Sequence, residues 1–509
     1  MAECLPVMIQ GTHSDAGKSI LVTALCRIYA DEGYRTAPFK SQNMALNSYI
    51  TTDGKEIGRA QGVQAEAAGT PATTWMNPIL IKPSGDHNSQ IVVHGKPFKN
   101  MKAGEYREDF YEKGLKLIEE SYNRLAAEFE RIVIEGAGSP AEINLNDREL
   151  VNMSVAKMAK APVVLVGDID KGGVFASLAG TLQLLEPEDR KRVIGVIINK
   201  FRGDRELLEP GLDWFEKYTG LPVLGVIPHI PNLNIEAEDS LALEHQTVAG
   251  EVDKEIDIAV ICYPRVSNFT DADPLVKEPD CQVRFVRTIN ELGKPDLVIL
   301  PGSKNTLSDM QWLQTSGMAE QVMLLAETAC VIGICGGYQM LGRQLEDPDE
   351  VESSSKRITG LGLIKEMSTV LLKSKKTVLS RGKARYGKHN MPVSGYEIHM
   401  GISSYTSKEN DFFIELDSGE KDGYISPDGR LIGTYFHGIF ENDQFRSILV
   451  NELRQAKGLP PFYSRPAYNQ IKEEAFSRLA ETVKTHLNMD LLEEEITKYQ
   501  MKVRGRTAK

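Results

Sequence analysis

Short apolar runs alternate with amphipathic helical segments along most of the chain, and this alternation predicts the fold. Residues 7–10 predict a strand, and residues 20–30 repeat apolar side chains at the three- and four-residue spacing of a helix. Further strand-like runs lie at 131–135, 162–167, 193–199, 256–262, 296–300, 330–335 and 431–436. Such nearly continuous apolar strands are typical of parallel sheets covered by helices on both faces.

A polar, acidic stretch at residues 232–255 interrupts the alternation and predicts a domain boundary. The chain has 509 residues, which is too long for a single hydrophobic core. We therefore predict an α/β protein with two doubly wound parallel-sheet domains. The predicted parts are a first domain at 1–235, a linker at 236–250, a second domain at 251–445 and a helical C-terminal extension at 446–509.

Composition narrows the class of protein without naming a reaction. Net charge is −12, with 41% hydrophobic and 26% charged residues, as in ordinary globular proteins. This balance argues against a broad nucleic-acid or membrane surface. The six cysteines form no CxxC pair and are interpreted as reduced thiols, and no signal peptide is evident. We expect a cytoplasmic protein without nucleic-acid or membrane partners; the oligomeric state stays open.

A glycine-containing loop between the first strand and the first helix predicts a phosphate-binding site. Small residues let backbone N–H groups converge on phosphate oxygens, with a helix N-terminus behind them. Lys18 would contact the β- and γ-phosphates and Ser19 would bind Mg²⁺. The remaining candidates in this nucleotide-binding loop are Gly11, Thr12, Ser14, Asp15, Ala16 and Gly17.

Polar residues at other strand ends are candidates for the same site, because ligands bind at the carboxyl ends of parallel strands. Glu135 could hold Mg²⁺ or its water, or could cap a helix. Lys40 could neutralise an anionic substrate, and Asn199 could hydrogen-bond the adenine edge. Asp168 and Asp170 could contact a metal or substrate, or could stabilise the turn that follows them.

A second glycine-rich turn, at 333–339, predicts a nucleophilic thiolate. Cys335 follows a strand and precedes two glycines and a helical run, an arrangement that presents the thiol at a sharp turn and at a helix N-terminus. His437 is the candidate base, and His399 is a rival. Backbone N–H groups for an oxyanion hole would come from Gly302, Ser303 and Gly336.

These motifs resemble two known families. The Cys335 turn, with the run YFHG at 435–438, resembles a class I glutamine amidotransferase domain of the cobyrinate-amidating branch. The loop at 11–19, together with Lys40 and the run EGAG at 135–138, resembles a dethiobiotin synthetase-like ATP domain. From about residue 7 to 441, the chain resembles the cobyric acid synthase family. The most specific runs are 38–48, 53–61, 76–83, 167–175, 198–204 and 395–401.

The resemblance implies a reaction and roles for several residues. The family uses glutamine and ATP to amidate the b, d, e and g carboxylates of adenosylcobyrinic acid a,c-diamide, a corrinoid of cobalamin biosynthesis. Cys335 would take the glutamyl group and release ammonia. Ammonia would then attack a corrinoid acyl phosphate made with ATP. Lys18, Ser19 and Glu135 would serve ATP and Mg²⁺, with Asp53 as a further Mg²⁺ candidate.

One position departs from the wider amidotransferase pattern. Many class I glutaminases carry a Glu two residues after the catalytic His, where this chain has Ile439. The resemblance therefore implies a pair of Cys335 and His437, and leaves open whether Glu441 or a backbone carbonyl orients the imidazole.

Three other functions remain as alternatives. One is the related amidation that forms the a,c-diamide; the residues at 42–44 and 47–48 argue against it. The others are a phosphate-loop ATPase switch with a non-catalytic C-terminal domain, and a corrinoid carrier without catalysis.

Overall fold

The structure, a computed structural model, describes residues 4–83, 88–231, 233, 235, 254–353, 355–406 and 411–507. It divides into two compact units. The first contains residues 1–45, 56–235 and 472–509, and the second contains Leu46–Lys55 and residues 236–471. The predicted linker at 236–250 lies outside the described residues. The predicted extension at 446–509 is divided between the two units.

A parallel six-stranded sheet is the centre of the first unit. Its strand order is Val223–Pro228, Val193–Phe201, Val163–Asp168, Leu5–Gly11, Arg131–Glu135 and Thr36–Phe39. All five neighbouring pairs are parallel. Chain order reverses around Leu5–Gly11, so this strand's carboxyl end lies at the point where open α/β sheets bind ligands.

The described helices of the first unit are Lys18–Asp31, Arg59–Ala67, Ala103–Asp109, Tyr111–Glu128, Met153–Met158, Val174–Leu184, Pro187–Arg190, Glu209–Thr219 and Met489–Thr507, with most of Tyr468–His486. Most of them bury an apolar face, but Ala103–Asp109 and Pro187–Arg190 bury no side chain. The last two helices belong to the core because Leu479, Val483 and Ile496 are fully buried with the side chains of the sheet. A smaller four-stranded sheet contains Gln42–Met44, Ile79–Pro83, Asn88–Val93 and Lys96–Lys102.

The second unit contains another mainly parallel sheet. Its strand order is Cys281–Val286, Ile256–Ile261, Leu297–Leu300, Cys330–Ile334, Leu431–Thr434 and Tyr424–Ile425, and only the last strand is antiparallel. The helices of this unit are Asp273–Val276, Ile289–Leu292, Thr306–Thr315, Met318–Leu325, Gly336–Leu341 and Asp443–Ala456. Short 3₁₀ turns at Phe269–Ala272 and Ile439–Glu441 lie near its candidate site.

A second sheet in this unit is built on a long hairpin that the hydrophobic pattern did not predict. The strands Ile364–Tyr386 and His389–Tyr405 pair antiparallel over most of their length. The sheet also contains Gly342–Glu346, Arg357–Thr359, Ile414–Leu416, Lys421–Asp422 and Phe436–His437. Phe436–His437 pairs with Tyr396 and Glu397, which brings His437 beside the hairpin.

The predicted fold class is confirmed: each unit is an α/β unit with a parallel sheet. Predicted strands agree with the observed ones to within one or two residues, because buried parallel strands carry their signal in local sequence. None of the helices in the described part of the chain combines the length and apolar character needed to cross a membrane.

Candidate active sites

The loop after Leu5–Gly11 has the backbone geometry of a phosphate cradle. Gly17 adopts φ of 100°, in the region that favours glycine, and a Cβ there would lie 2.0 Å from Nδ2 of Asn199. A Cβ on Gly11 would lie 2.9 Å from the His13 carbonyl oxygen. Oγ1 of Thr12 is buried and has no partner among the described residues. A ligand with oxygen atoms fits this loop.

Two side chains near the carboxyl end of the strand Val193–Phe201 hold the loop in shape. Nδ2 of Asn199 donates to the Ala16 carbonyl at 2.9 Å. Nζ of Lys200 donates to the Asp15 carbonyl at 2.7 Å and pairs with Asp168 at 2.8 Å. Asn199 thus contacts the predicted nucleotide loop itself, and its adenine-binding role stays a prediction. The backbone N–H of Asp170 donates to the Asp168 carboxylate at 2.9 Å. In the loop itself, the predicted nucleotide ligand Ser14 is exposed.

Glu135 is the anionic centre of this site. Its Oε1 accepts from Ser19 Oγ and from Lys40 Nζ, each at 2.8 Å, and Glu135 is 1% exposed. Lys18 is also buried and donates to the carbonyls of His13 and Gly138 at 3.0 and 3.2 Å. Two lysines, a hydroxyl and a carboxylate therefore surround the loop. These groups match the needs of a nucleotide with its divalent cation.

The described residues contain no group of three His, Cys, Asp or Glu side chains that could hold a metal ion. A Ser19–Glu135 pair suits Mg²⁺, which commonly binds one or two protein ligands together with phosphates and water. Asp53 belongs to the second unit, in the segment Leu46–Lys55. There it pairs with Lys55 at 2.6 Å and accepts from Thr51 Oγ1 at 2.5 Å, and its metal role stays a prediction.

Cys335 occupies a strained turn between the strand Cys330–Ile334 and the helix Gly336–Leu341. Its backbone φ of 52° and ψ of −108° are unusual for a residue with a side chain. The turn is tight because a Cβ on Gly337 would lie 1.9 Å from the Leu300 carbonyl oxygen. Cys335 is 8% exposed, and its thiol donates to the Ile398 carbonyl oxygen at 3.4 Å. This is the conformation of a nucleophile elbow, with the thiol at the start of a helix.

His437 and Asp271 form a buried pair beside this cysteine. Nδ1 of His437 lies 2.7 Å from Oδ2 of Asp271, and the Gly438 amide donates to Oδ1 at 2.9 Å. Burial alone lowers the pKa of His437, but the Asp271 carboxylate and Cys335 together raise it to about 10. The ring of Tyr396 stacks on the imidazole with centroids 5.0 Å apart. Asp271 therefore orients the imidazole and stabilises its protonated form.

Asp271 is the functional residue that the sequence did not reveal. It lies 166 positions before His437, in the 3₁₀ turn Phe269–Ala272, and no fixed spacing connects the two. Asp271 occupies the orienting position for which Glu441 or a carbonyl was considered. The rival base His399 has a different environment, with Nδ1 2.8 Å from the Gly401 carbonyl and its ring stacked 3.8 Å from that of Tyr435.

The predicted oxyanion residues lie together near the thiol. A Cβ on Gly336 would lie 2.8 Å from the Ser303 backbone nitrogen, and one on Gly302 would lie 3.3 Å from Cε1 of His437. Oγ of Ser303 donates to Asp309 at 2.5 Å, and burial raises the pKa of Asp309 to about 7. Asp309 thus anchors the turn that contains Gly302 and Ser303, and the oxyanion role of this turn stays a prediction.

Comparison with known proteins finds matches for two domain families and for full-length relatives. Residues 7–242 match the CobQ/CobB/MinD/ParA nucleotide binding domain, and residues 257–445 match the CobB/CobQ-like glutamine amidotransferase domain. A cobyric acid synthase from Geobacillus sp. (strain WCH70) is 60% identical over 502 residues, 98% of this chain and 99% of that protein. The cobyric acid synthase from Anoxybacillus flavithermus is 58% identical, with 98% of this chain and 99% of that protein covered. A solved glutamine amidotransferase covers 40% of this chain and 99% of its own, with 14% identity and a TM-score of 0.30.

Proposed function

The chain belongs to the cobyric acid synthase family, a family of glutamine-dependent amidotransferases, and we propose that it amidates four corrinoid carboxylates using glutamine and ATP. The proposed substrate is adenosylcobyrinic acid a,c-diamide, amidated at its b, d, e and g side chains during cobalamin biosynthesis. The observation that carries the proposal is the buried Asp271–His437 pair beside the strained Cys335, in a chain that also has a phosphate loop.

Glutamine would be hydrolysed at Cys335. The thiolate attacks the side-chain carboxamide carbon of glutamine, and the developing oxyanion accepts hydrogen bonds from the backbone N–H groups of Gly302, Ser303 and Gly336. His437 takes the thiol proton and returns it to the leaving nitrogen, which departs as ammonia. Water then attacks the thioester, with His437 as base, and releases glutamate. Asp271 holds the proton-carrying Nδ1 of His437 throughout.

The carboxylate would be activated at the phosphate loop. A carboxylate is a poor electrophile because oxide is a poor leaving group, whereas an acyl phosphate loses phosphate readily. Lys18 and the N-terminus of the helix Lys18–Asp31 would bind the ATP phosphates, and Lys40 would neutralise charge near the transferred phosphoryl group. Mg²⁺ supplies further neutralisation of the phosphate oxygens when bound at Ser19 and Glu135. Ammonia then attacks the acyl carbon, forms the amide and displaces phosphate.

Replacing Cys335 with alanine tests this division of labour. The purified chain is given adenosylcobyrinic acid a,c-diamide, MgATP and either glutamine or ammonium chloride, and the corrinoid product is followed by mass spectrometry. Wild-type protein should add amides stepwise with either nitrogen source. Cys335→Ala should lose the glutamine-dependent reaction and keep the ammonium-dependent one. Cys330→Ala, which removes a buried thiol from the strand that leads into the Cys335 turn, is the matched control and should keep both.

A folded wild-type chain that leaves the corrinoid mass unchanged would refute the proposed substrate. Loss of both reactions in a folded Cys335→Ala variant would show that the thiol does more than release ammonia.

Lys18→Ala should have the complementary effect. It should abolish amidation from either nitrogen source and spare glutamine hydrolysis.

A further inference from the structure

A chain of buried amides leads to the carboxylate of Glu135. Nε2 of Gln64 donates to Glu135 Oε2 at 2.6 Å, and Nε2 of Gln61 points to Gln64 Oε1 at 3.5 Å. Nδ2 of Asn43 donates to Gln61 Oε1 at 2.9 Å. Gln61 and Gln64 are fully buried and Asn43 is 3% exposed. We refer to Asn43, Gln61 and Gln64 as the amide chain.

The direction of every donor in the amide chain follows from Glu135. An ionised carboxylate only accepts hydrogen bonds, so Gln64 must present its NH₂ group to Glu135 and its oxygen to Gln61. Gln61 must then donate to that oxygen, and its own oxygen must accept from Asn43. Each amide is therefore held in one of its two orientations by the next. The carboxylate of Glu135 therefore sets the orientation of all three amides.

The local sequence makes room for the amide chain. Gln61 and Gln64 are three residues apart on the helix Arg59–Ala67, so their side chains share one face. Gly58, immediately before the helix, has an ordinary φ of −62°. A Cβ there would nevertheless lie 2.4 Å from Nδ2 of Asn43 and 2.8 Å from Oε1 of Gln61. Glycine at 58 is required by the amides and not by backbone strain.

The two oxygens of Glu135 are used differently. Oε1 accepts from Ser19 and Lys40, which belong to the phosphate loop and to a neighbouring strand end. Oε2 accepts from Gln64, whose own position is fixed by the amide chain. A cation and phosphates that engage Ser19 and Lys40 would leave the Oε2 contact in place. Gln64 then determines where Oε1 points.

We infer that Gln64 is a positioning residue for the cation-binding carboxylate Glu135, and that Gln61 and Asn43 fix the orientation of its amide. The inference rests on the proposed role of Glu135 in binding a divalent cation with ATP. Partners that orient a ligand carboxylate typically change metal affinity by about 10–100-fold when removed. The expected effect is therefore on the Mg²⁺ requirement and not on the affinity for the nucleotide alone.

The test measures binding of a non-hydrolysable ATP analogue by calorimetry, at a series of Mg²⁺ concentrations and in EDTA. Gln64→Met keeps the side chain's length and removes the donor. It should raise the Mg²⁺ concentration for half-maximal binding by about tenfold and leave binding in EDTA unchanged. Circular dichroism and thermal melting establish that each variant is folded.

A pair of variants at Gln61 separates orientation from packing. Glutamate at 61 can accept from Asn43 but cannot donate to Gln64, so the Gln64 amide should turn and present its oxygen to Glu135. Gln61→Glu should therefore also raise the Mg²⁺ concentration for half-maximal binding, although residue 61 does not contact Glu135. Gln61→Met, which cannot reverse the amide, should change it by less than about threefold, below the usual effect of an orienting partner.

Three results would overturn the inference. One is a folded Gln64→Met variant whose Mg²⁺ requirement stays within about twofold of wild type, far below the effect expected for an orienting partner. Another is an equal loss of nucleotide binding with and without Mg²⁺, which would assign Gln64 to the nucleotide or the fold. The third is wild-type protein whose nucleotide binding does not depend on Mg²⁺, which would also refute the proposed function of the loop.

Discussion

Replacing Asp271 with asparagine is expected to give His437 the wrong tautomer. Oδ1 of Asp271 accepts from the Gly438 amide at 2.9 Å, and Oδ2 faces Nδ1 of His437 at 2.7 Å. An asparagine keeps its carbonyl oxygen on the Gly438 amide, so its NH₂ group faces Nδ1. Nδ1 must then accept, the ring proton moves to Nε2, and His437 can no longer take the proton of Cys335.

The size of the effect follows from the charge that is removed. The pKa of His437 is about 10 against the usual 6.5, a difference worth about 5 kcal/mol in favour of the imidazolium. Burial opposes this charge, so the pKa of His437 should fall when the Asp271 carboxylate no longer supports the imidazolium. We expect glutamine hydrolysis to slow by about 10³–10⁴-fold, as in other nucleophile–histidine sites with a misdirected imidazole.

The same pair predicts how stability depends on pH. Because the pKa of His437 is raised in the folded protein, its protonated form contributes stability that is complete below pH 6.5 and is lost as pH rises through about 10. The difference in unfolding free energy between wild type and Asp271→Asn should therefore narrow as pH rises toward 10. Urea titrations at several pH values measure it.

Three measurements distinguish a misoriented imidazole from a misfolded variant. Glutamate release should fall, ammonium-dependent amidation should persist, and alkylation of Cys335 by iodoacetamide near neutral pH should slow. Ammonium-dependent activity also serves as the control for folding. If Asp271→Asn hydrolyses glutamine within about threefold of wild type, far from the effect of a misdirected imidazole, the assigned role of Asp271 is wrong.

Two further predictions concern the phosphate loop and a buried ion pair. Gly17→Ala should abolish nucleotide binding in calorimetry because its Cβ would meet Asn199 at 2.0 Å, whereas Gly172→Ala, at φ of 77° with no atom nearby, should retain it. Asp280 is buried, which alone raises its pKa, but Arg465 at 2.7 Å holds the pKa below the usual 3.8. Asp280→Asn should cost about 3–5 kcal/mol in urea unfolding at pH 7, and the difference should shrink as pH falls below 3.8; a constant difference would contradict the assignment.

Local sequence is sufficient for the parallel sheets and insufficient for the long hairpin. The strands Val163–Asp168 and Leu297–Leu300 are wholly buried, so each is a recognisable apolar run. The strand Ile364–Tyr386 is exposed at many positions and carries several lysines, so its sequence lacks that signal. Its identity as a strand depends on pairing with His389–Tyr405, which periodicity within one segment does not reveal.

The two candidate sites show the same division between local and distant information. Cys335 and Lys18 lie in glycine-containing turns whose backbone geometry is encoded within a few residues, and both were identifiable from sequence. The groups that set their electrostatic surroundings come from far along the chain. Asp271 lies 166 residues from His437, and Gln64 lies 71 residues from Glu135.

This division has a physical cause. A nucleophile or a phosphate ligand needs a particular backbone conformation, and backbone conformation is restricted by the residues immediately around it. An orienting partner needs only a buried polar atom within about 3 Å, which any segment of the fold can supply. Substitutions at Asp271 or Gln64 should therefore change protonation or cation binding while leaving the Cys335 and Lys18 turns intact. The reacting groups are encoded locally, and the charge states that make them reactive are encoded by the topology that brings distant strands together.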